Sequence, residues 1–563
     1  MIVSTFMSIK IGYLRGGNFQ TTKTKITISA DSTMKIIALL LLLVTVLFAC
    51  SEAEKSKEEI QSFEHQNIPM ADKLKKATQS DYLNSIGIPK VAHNFVRSYY
   101  KQRGFKSRWS NEKSLTAEGK SLKSAIKNKI TLGIPENRFN YDKTDNFIQD
   151  EIWLTAATAM VVNDLENGII DFEKKKKRKV KCISAESFEK KVQFESGVEI
   201  REQFIAFGPT DSTYQVLGKG LIDFVDAYPL DTATFDVRSV KYDSTEAVQK
   251  ARLALISKGY FPAEIKDTVG VLDSLKTFQL HNGLKPDGVI GKYTSKALNE
   301  STYRKVERIL LAMDKIRSDR QYPNKYIRIN IPEYKLRLYI NDSLKSDHNI
   351  VVGKYENQTP QLESKLRKIV VYPYWNVPYS ISSKEILPAL KYNSGYLAKH
   401  NYKIYKSGEE VDPSTVDWKS IRQNAFPYKV VQDPGRANSL GVIKFDFYNE
   451  HSVYFHDTPS KGLFGADVRA YSHGCMRTQN PVDLAKVILK RDSLRFKANE
   501  MIPDSLDSIL GRKTDFNYQI KLLNPIPIYV DYVSVARDKD RMVVHIDIYG
   551  RDEEYLKIMR QKS

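Results

Sequence analysis

The hydrophobic period changes near residue 320, and that change limits what the chain can fold into. Ahead of it, apolar residues recur at three- and four-residue spacing, as in VAHNFVRSYYKQRGF and IWLTAATAMVVNDLENGII, which lines one face of a helix. Beyond it, KYIRINIPEYKLRLYIND alternates apolar with polar from Tyr326 to Tyr339, broken at Pro332, and predicts two strands joined by a turn. Further strands are predicted in HNIVVGK, SKLRKIVVYPYWNVP, GVIKFDFYNE and HSVYFHD, and a helix in PVDLAKVILKR. Helices and strands are segregated along the sequence, so the expected class is multidomain α+β. At 563 residues the chain is too long for one core, and 41% apolar with 11% aromatic residues is enough to build several.

The pattern divides the chain as follows. Residues 51–80 are polar and charged and are expected to be a flexible tether. Residues 81–235 are expected to be a mainly α-helical scaffold region, with the basic run Lys174 to Lys179 in a loop or at a helix end. In 242–300 two amphipathic helices flank a Gly/Asp/Pro-rich turn, and a third begins after DGVIGKYT. Residues 303–500 form the β-rich domain. Within it, 383–430 lose strand alternation and are expected to be a helical insertion serving as a lid. Residues 501–563 are expected to be an α/β extension packing on that domain.

Three cysteines, Cys50, Cys182 and Cys475, lie too far apart to give the pair spacing of a disulfide framework or a zinc site. Cys50 closes MKIIALLLLLVTVLFAC, whose apolar core of about a dozen residues is shorter than the roughly 20 that span a bilayer. The segment reads as an export signal, with Met34 the natural start, and its ending resembles a bacterial lipoprotein signal. That resemblance implies lipidation of Cys50 and a periplasmic or cell-envelope location, anchored to a membrane. The net charge of +20 favours polyanions. For an exported protein these are membrane headgroups and a carboxylate-bearing wall, and nucleic acid is not an expected partner.

Cys475 lies in YSHGCMRTQNP. A free thiol with a pKa of about 8.5 supplies little thiolate at neutral pH, so a nucleophilic cysteine needs a base. Two histidines are near in sequence, His473 and His456. A zinc site would want four ligands, and no second cysteine or paired histidine stands nearby. A buried, inert cysteine fits poorly with Ser472, Gly474 and Arg477, which suit an accessible loop. The N–H groups of Gly474 and Cys475 are candidates for an oxyanion hole. Arg477 is a candidate for binding a substrate carboxylate or for an internal salt bridge.

Two resemblances extend this reading. Gln249, Leu253, Gly259, Tyr260, Phe278, Gln279, Gly283, Leu284, Asp287, Gly288, Gly291, Thr294 and Leu298 resemble the pattern of a three-helix peptidoglycan-binding domain. This implies wall contacts by Gln279, Asp287 and Gly288. His456-Asp457 followed by Ser472-His473-Gly474-Cys475-Met476-Arg477, together with INIPEYKLRLY, VVGK, YPYWNVP, DPGRANSLGVIKFDF and VYFHDTPSKGLFGADVRAYSHGCMR, resembles the L,D-transpeptidase (YkuD) catalytic domain. With the wall-binding module and YYKQRGFKSRW ahead of it, the arrangement is similar to the large periplasmic members.

That resemblance implies Cys475 as nucleophile and His456 as general base and acid, oriented through its second ring nitrogen by a neighbouring backbone carbonyl. It implies His473 as an orienting group and Tyr454 as an oxyanion aid, with Ser472 and Gly474 in support. Arg477, Trp375, Asn438 and Gly441 are the implied substrate contacts. The implied reaction is 3→3 cross-linking of peptidoglycan stem peptides through a thioester, with release of a terminal D-alanine and with no cofactor or metal. Carbapenems are expected to acylate Cys475. An L,D-carboxypeptidase and a catalytically silent wall-binding protein are the alternatives.

Overall fold

The computed structural model describes residues 5–15, 18–28, 66–79, 81–111, 113–140, 146–241, 244–318, 321–492, 503–511 and 517–561. Cys50 and its apolar segment lie outside the described residues, among which no helix is long and apolar enough to cross a membrane. The chain divides into two compact units. One comprises Met1–Ile126, Tyr141–Met160 and Lys181–Gln193, and the other Lys127–Asn140, Val161–Val180 and Phe194–Ser563.

The first unit is helical where described after residue 66. Helix Met70–Gln79 falls inside the expected tether and corrects it: Met70, Leu74 and Ala77 lie on one face and are buried, so this stretch packs instead of spanning a gap. Helix Lys90–Gln102 buries Phe95, Val96, Tyr99 and Tyr100. The YYKQRGFKSRW segment is organised by the buried Glu151 carboxylate. That group accepts hydrogen bonds from the Arg108 and Trp109 N–H groups at 2.7 and 2.8 Å, and from the Tyr100 and Ser110 hydroxyls at 2.9 and 2.8 Å.

In the second unit the basic run lies mostly in a loop: Lys174 and Lys175 are in the turn of a short hairpin, Lys176–Lys177 pairs with Ile170–Asp171, and Arg178 and Lys179 follow without regular structure. Helices Ser244–Ser257, Val271–His281 and Lys292–Asn299 make the three-helix module. Its core, including Leu255, Phe278 and Leu298, is completed by Ile546 from the C-terminal region. Gln279 is 1% exposed. Its amide donates to Asp287 Oδ1 and the Val289 carbonyl, both at 3.0 Å, and its oxygen accepts the Gly288 N–H at 2.8 Å. The expectation of a wall contact at Gln279 is corrected: a side chain with its polar atoms spent inside the fold holds the turn. Gly288, at φ +74°, supplies the left-handed step of that turn.

Nine strands form the main sheet: β1 Lys325–Asn330, β2 Lys335–Ile340, β3 Ser343–Gly353, β4 Leu362–Val371, β5 Ile443–Phe447, β6 Phe455–His456, β7 Ala470–Ser472, β8 Met476–Thr478 and β9 Tyr518–Asp531. Their order is β7-β3-β8-β6-β5-β4-β9-β1-β2, and β2 also pairs with β3, so eight strands close into a ring. Its core includes Ile327, Leu336, Ile369, Phe445, Phe455 and Met476. β9 lies between β4 and β1. The expected C-terminal extension is corrected accordingly: its first strand is an internal member of the main sheet, whose ring does not close without it.

The insertion is also corrected. Helical turns occupy its first part, but Tyr402–Lys406, Glu409–Val411 and Lys429–Gln432 form a four-stranded sheet with Trp375–Asn376. It has its own core of Ile386, Leu390, Leu397, Trp418 and Val430.

Candidate active site

The register of β5, β6 and β8 builds the site. β6 runs parallel to β8 with Phe455 opposite Met476 and His456 opposite Arg477, and β5 pairs Lys444 with His456. Phe445, Phe455 and Met476 are fully buried in the sheet core. Side chains alternate along a strand, so Lys444, His456 and Arg477 share the other face. Tyr454 and Cys475, one residue before the buried pair, belong to that face too. The hairpin leading into β6 is held by Asn449, whose side chain donates to the Val453 carbonyl at 2.7 Å and accepts the Val453 N–H at 3.0 Å.

His456 is 5% exposed, and its Nδ1 lies 2.5 Å from the Asp457 carbonyl oxygen. A carbonyl only accepts, so Nδ1 carries the proton and Nε2 is the basic nitrogen. Asp457 is fixed in turn: its N–H donates to the Ile443 carbonyl at 2.8 Å, and its carboxylate accepts the Val442 N–H at 3.0 Å and pairs with Lys461.

The Cys475 loop is held just as closely. The Ser472 hydroxyl donates to the Cys475 carbonyl and accepts the Gly474 N–H at 3.2 Å. This corrects the expectation that the Gly474 N–H serves an oxyanion. That donor is already used, whereas the Cys475 N–H has no acceptor among the described residues. Gly474 sits at φ +115°, a conformation that L side chains rarely adopt. Its carbonyl accepts the Thr359 hydroxyl at 2.8 Å, and Thr359 Oγ1 accepts the Gly353 N–H at 2.9 Å. Tyr549 donates to the Gly353 carbonyl at 2.6 Å.

Electrostatics leave both His456 and Cys475 uncharged at neutral pH. Burial, helped by the Arg477 charge, pushes the His456 imidazole down to about 3. Burial pushes the Cys475 thiol up, against the Tyr454 N–H and hydroxyl and the charges of Lys444 and Arg477. The Tyr454 hydroxyl, itself raised chiefly by burial and then by Cys475, also meets the Trp375 side chain. Lys444 Nζ sits 4.1 Å from the centre of the Tyr454 ring. Arg477 makes no ion pair among the described residues.

The structure brings together Cys475, His456, Tyr454, Trp375 and Arg477 from the sequence reading, with Ser472 and Gly474 shaping the loop. It does not place His473 as an orienting group: His473 Nε2 lies 2.6 Å from Glu385 Oε1 on the insertion, and the Asp457 carbonyl orients His456. Asn438 and Gly441 are likewise corrected from substrate contacts to supports. The buried Asn438 amide donates to the Pro373 and Asp433 carbonyls at 3.2 and 2.9 Å, and its oxygen accepts the Leu440 N–H at 2.7 Å. Gly441, at φ +60°, passes against the Asp457 carboxylate, where a Cβ would collide. Sequence reasoning missed Lys444 and Glu385. The alternation of Ile443, Phe445 and Phe447 turns Lys444 away from the core, but only the strand register sets it beside His456.

Residues 324–496 match the family model for the L,D-transpeptidase catalytic domain, YkuD. Over those residues the chain is similar to that catalytic domain. Residues 94–221 match a model described as a Scaffold domain. A putative L,D-transpeptidase of Haemophilus influenzae is 35% identical over 229 residues, covering 40% of this chain and 45% of that protein. The chain thus matches less than half the length of that curated relative. Among solved structures, an L,D-transpeptidase from Mycobacterium smegmatis is 13% identical, with 37% of this chain and 58% of that one covered and a TM-score of 0.17. An L,D-transpeptidase from Xylanimonas cellulosilytica is also 13% identical, with 54% and 97% covered and a TM-score of 0.16. Values that low bear on neither substrate nor mechanism.

Proposed function

We propose that the chain forms 3→3 cross-links between peptidoglycan stem peptides through a Cys475 thioester. The observation that carries this reading is the shared face of β5, β6 and β8. It joins a nucleophile with a histidine of defined tautomer and two cations, one of them unpaired among the described residues.

His456 Nε2 takes the Cys475 thiol proton as sulfur attacks the carbonyl of the third stem residue. The Cys475 N–H and the Tyr454 hydroxyl donate to the developing oxyanion. Collapse breaks the peptide bond, His456 gives the proton to the departing D-alanine amine, and the acyl group remains on sulfur. The side-chain amine of a second stem then attacks the thioester and gives up a proton through His456, which restores the thiol. Arg477 binds a stem carboxylate through its two-pronged guanidinium. A cleft of about 720 Å³, walled by Tyr454, Lys444, Arg367, Lys368 and Lys521, offers a basic surface to the rest of an acidic stem.

In the same reading, residues 242–300 bind the wall, Cys50 carries the lipid that holds the chain in the cell envelope, and carbapenems acylate Cys475. Incubating the purified chain with wall tetrapeptide fragments and weighing the products tests the reaction. A dimer lacking D-alanine supports transfer, a tripeptide replaces it with hydrolysis, and unchanged substrate removes the enzymatic reading.

A further inference from the structure

Away from Cys475, the second unit holds a cavity of about 570 Å³ where helix Ser212–Ala227, the three-helix module and the hairpin Val535–Asp538/Arg541–Val544 meet. Its wall includes Tyr228, Tyr260, His281, Lys305 and Arg541. Tyr228 and Tyr260 stack with ring centres 4.6 Å apart, and the Tyr260 hydroxyl meets His281 Nδ1 at 3.0 Å. The elements are closely packed here: a Cβ on Gly283 would collide with His545, and one on Gly220 with Met542.

Lys305 is the unusual member. It is 2% exposed, yet it forms no hydrogen bond or ion pair among the described residues, and its ammonium rests 4.2 Å from the centre of the Phe278 ring. Buried charges are ordinarily paired, because desolvation costs several kcal/mol. The carboxylates that act on it are engaged elsewhere. Glu300 is bound by Arg308 at 2.9 Å, and Asp231 by the Thr302 N–H at 3.0 Å and by Ser257, with Lys258 at 3.9 Å. Burial, offset in part by Glu300, pushes the Lys305 amine down to about 7. His281 is lowered by burial and by the charges of Arg541 and Lys305, and the cavity wall carries the basic Lys219, Lys305 and Arg541 against the acidic Asp223 and Asp540.

We propose that this cavity is a second ligand site, taking an organic carboxylate carried on a ring: the carboxylate pairs with Lys305 and the ring lies along the Tyr228–Tyr260 wall. Such a group supplies what Lys305 lacks, and an aromatic wall suits a sugar or aryl face. The ligand has two possible sources, a wall sugar whose carboxyl carries no stem peptide or a small unattached ring carboxylate. Only the first rests on the function proposed above.

Titration calorimetry of the whole chain tests the site with three probes. These are N-acetylmuramic acid, N-acetylglucosamine, which has the same ring without the carboxylate, and benzoate. At least one carboxylate is expected to bind ten times more tightly than N-acetylglucosamine. Preference for N-acetylmuramic acid assigns the wall source, and preference for benzoate the small-molecule source. Lys305→Met is expected to weaken binding at least tenfold while iodoacetamide labelling of Cys475 stays within twofold. Should that variant not fold, Arg541→Gln, on the exposed rim, is expected to weaken binding severalfold. Equal binding by the Lys305 variant, or no carboxylate binding up to millimolar concentration, overturns the proposal. Carboxylate binding without transpeptidation would leave this site standing and remove the catalytic reading, and the converse result would do the opposite.

Discussion

The Nδ1 of His456 lies 2.5 Å from the carbonyl oxygen of Asp457, which fixes the tautomer and makes Nε2 the proton acceptor. With the imidazole held down to about 3 and the thiol raised, the resting pair is neutral imidazole and neutral thiol. An ion pair formed before substrate arrives would need both shifts reversed. In the proposed reaction His456 would therefore serve as a general base during attack.

The first prediction is a pH profile. The imidazole gains charge only in strong acid, and the thiol loses its proton only above the ordinary cysteine range, so no thiolate is stored near pH 6. Iodoacetamide labelling of Cys475 should be slow there and rise through pH 9 without levelling off. A labelling plateau between pH 5 and 7 would show a preformed thiolate and contradict the neutral pair.

Lys444 supplies the second prediction. Its charge favours the Cys475 thiolate, and its ammonium lies over the Tyr454 ring. Lys444→Met should raise the thiol pKa further. A shift of one unit is about 1.4 kcal/mol, a tenfold drop in thiolate at a fixed pH below the pKa. Labelling at pH 8 should slow by about that factor, whereas Lys444→Arg keeps the charge and should stay close to the parent. Equal rates in the Met variant would mean that solvent screens the cation.

Part of the main sheet is legible in sequence because its strands alternate cleanly: β1, β2 and β5 fall where Tyr326 to Tyr339 and GVIKFDF place them. Less visible were contacts set by register and long-range closure. β9 enters the ring from far along the chain, and nothing in YQIKLLNPIPIYVD says which neighbours it takes. The sheet of the insertion is hidden in the sequence because its strands are only three to five residues long, too few to establish a period. Asn438 and Gly441 stand out in sequence because a tight loop needs them, and that demand looks the same as a binding role until hydrogen bonds are assigned.

Thr359 gives the third prediction. Its hydroxyl donates to the Gly474 carbonyl and accepts the Gly353 N–H, tying the loop before Cys475 to the end of β3. Thr359→Val keeps the shape but leaves two buried backbone groups unpaired, at a cost of about 1–3 kcal/mol each if water does not replace the contact. Lower thermal stability and a reduced kcat with KM little changed are expected, and Thr359→Ser should restore most of both. A fall in KM affinity with unchanged kcat would instead place Thr359 against substrate.

Gln279 gives the fourth. Replacement by Leu removes the acceptor of the Gly288 N–H, a buried bond, and should destabilise the three-helix module by about 2 kcal/mol. Thermal unfolding measures this. A variant as stable as the parent but unable to bind wall fragments would return Gln279 to a contact role.

The last prediction separates the two histidines nearest Cys475 in sequence. His473 faces Glu385 of the insertion, and its side chain is 33% exposed, whereas His456 is buried on the nucleophile's face. A partly exposed polar contact of this kind contributes about 0–1 kcal/mol, so His473→Ala and Glu385→Gln should each leave kcat within about fivefold of the parent, the effect of loosening one tether between the cysteine loop and the insertion. His456→Ala removes the only base oriented by the Asp457 carbonyl and should cost at least about 100-fold, the lower range for a positioned general base. The double variant His473→Ala/Glu385→Gln should be no worse than the poorer single one, because both changes cut the same contact. Full loss of turnover in His473→Ala with His456→Ala active would reverse the assignment of the base.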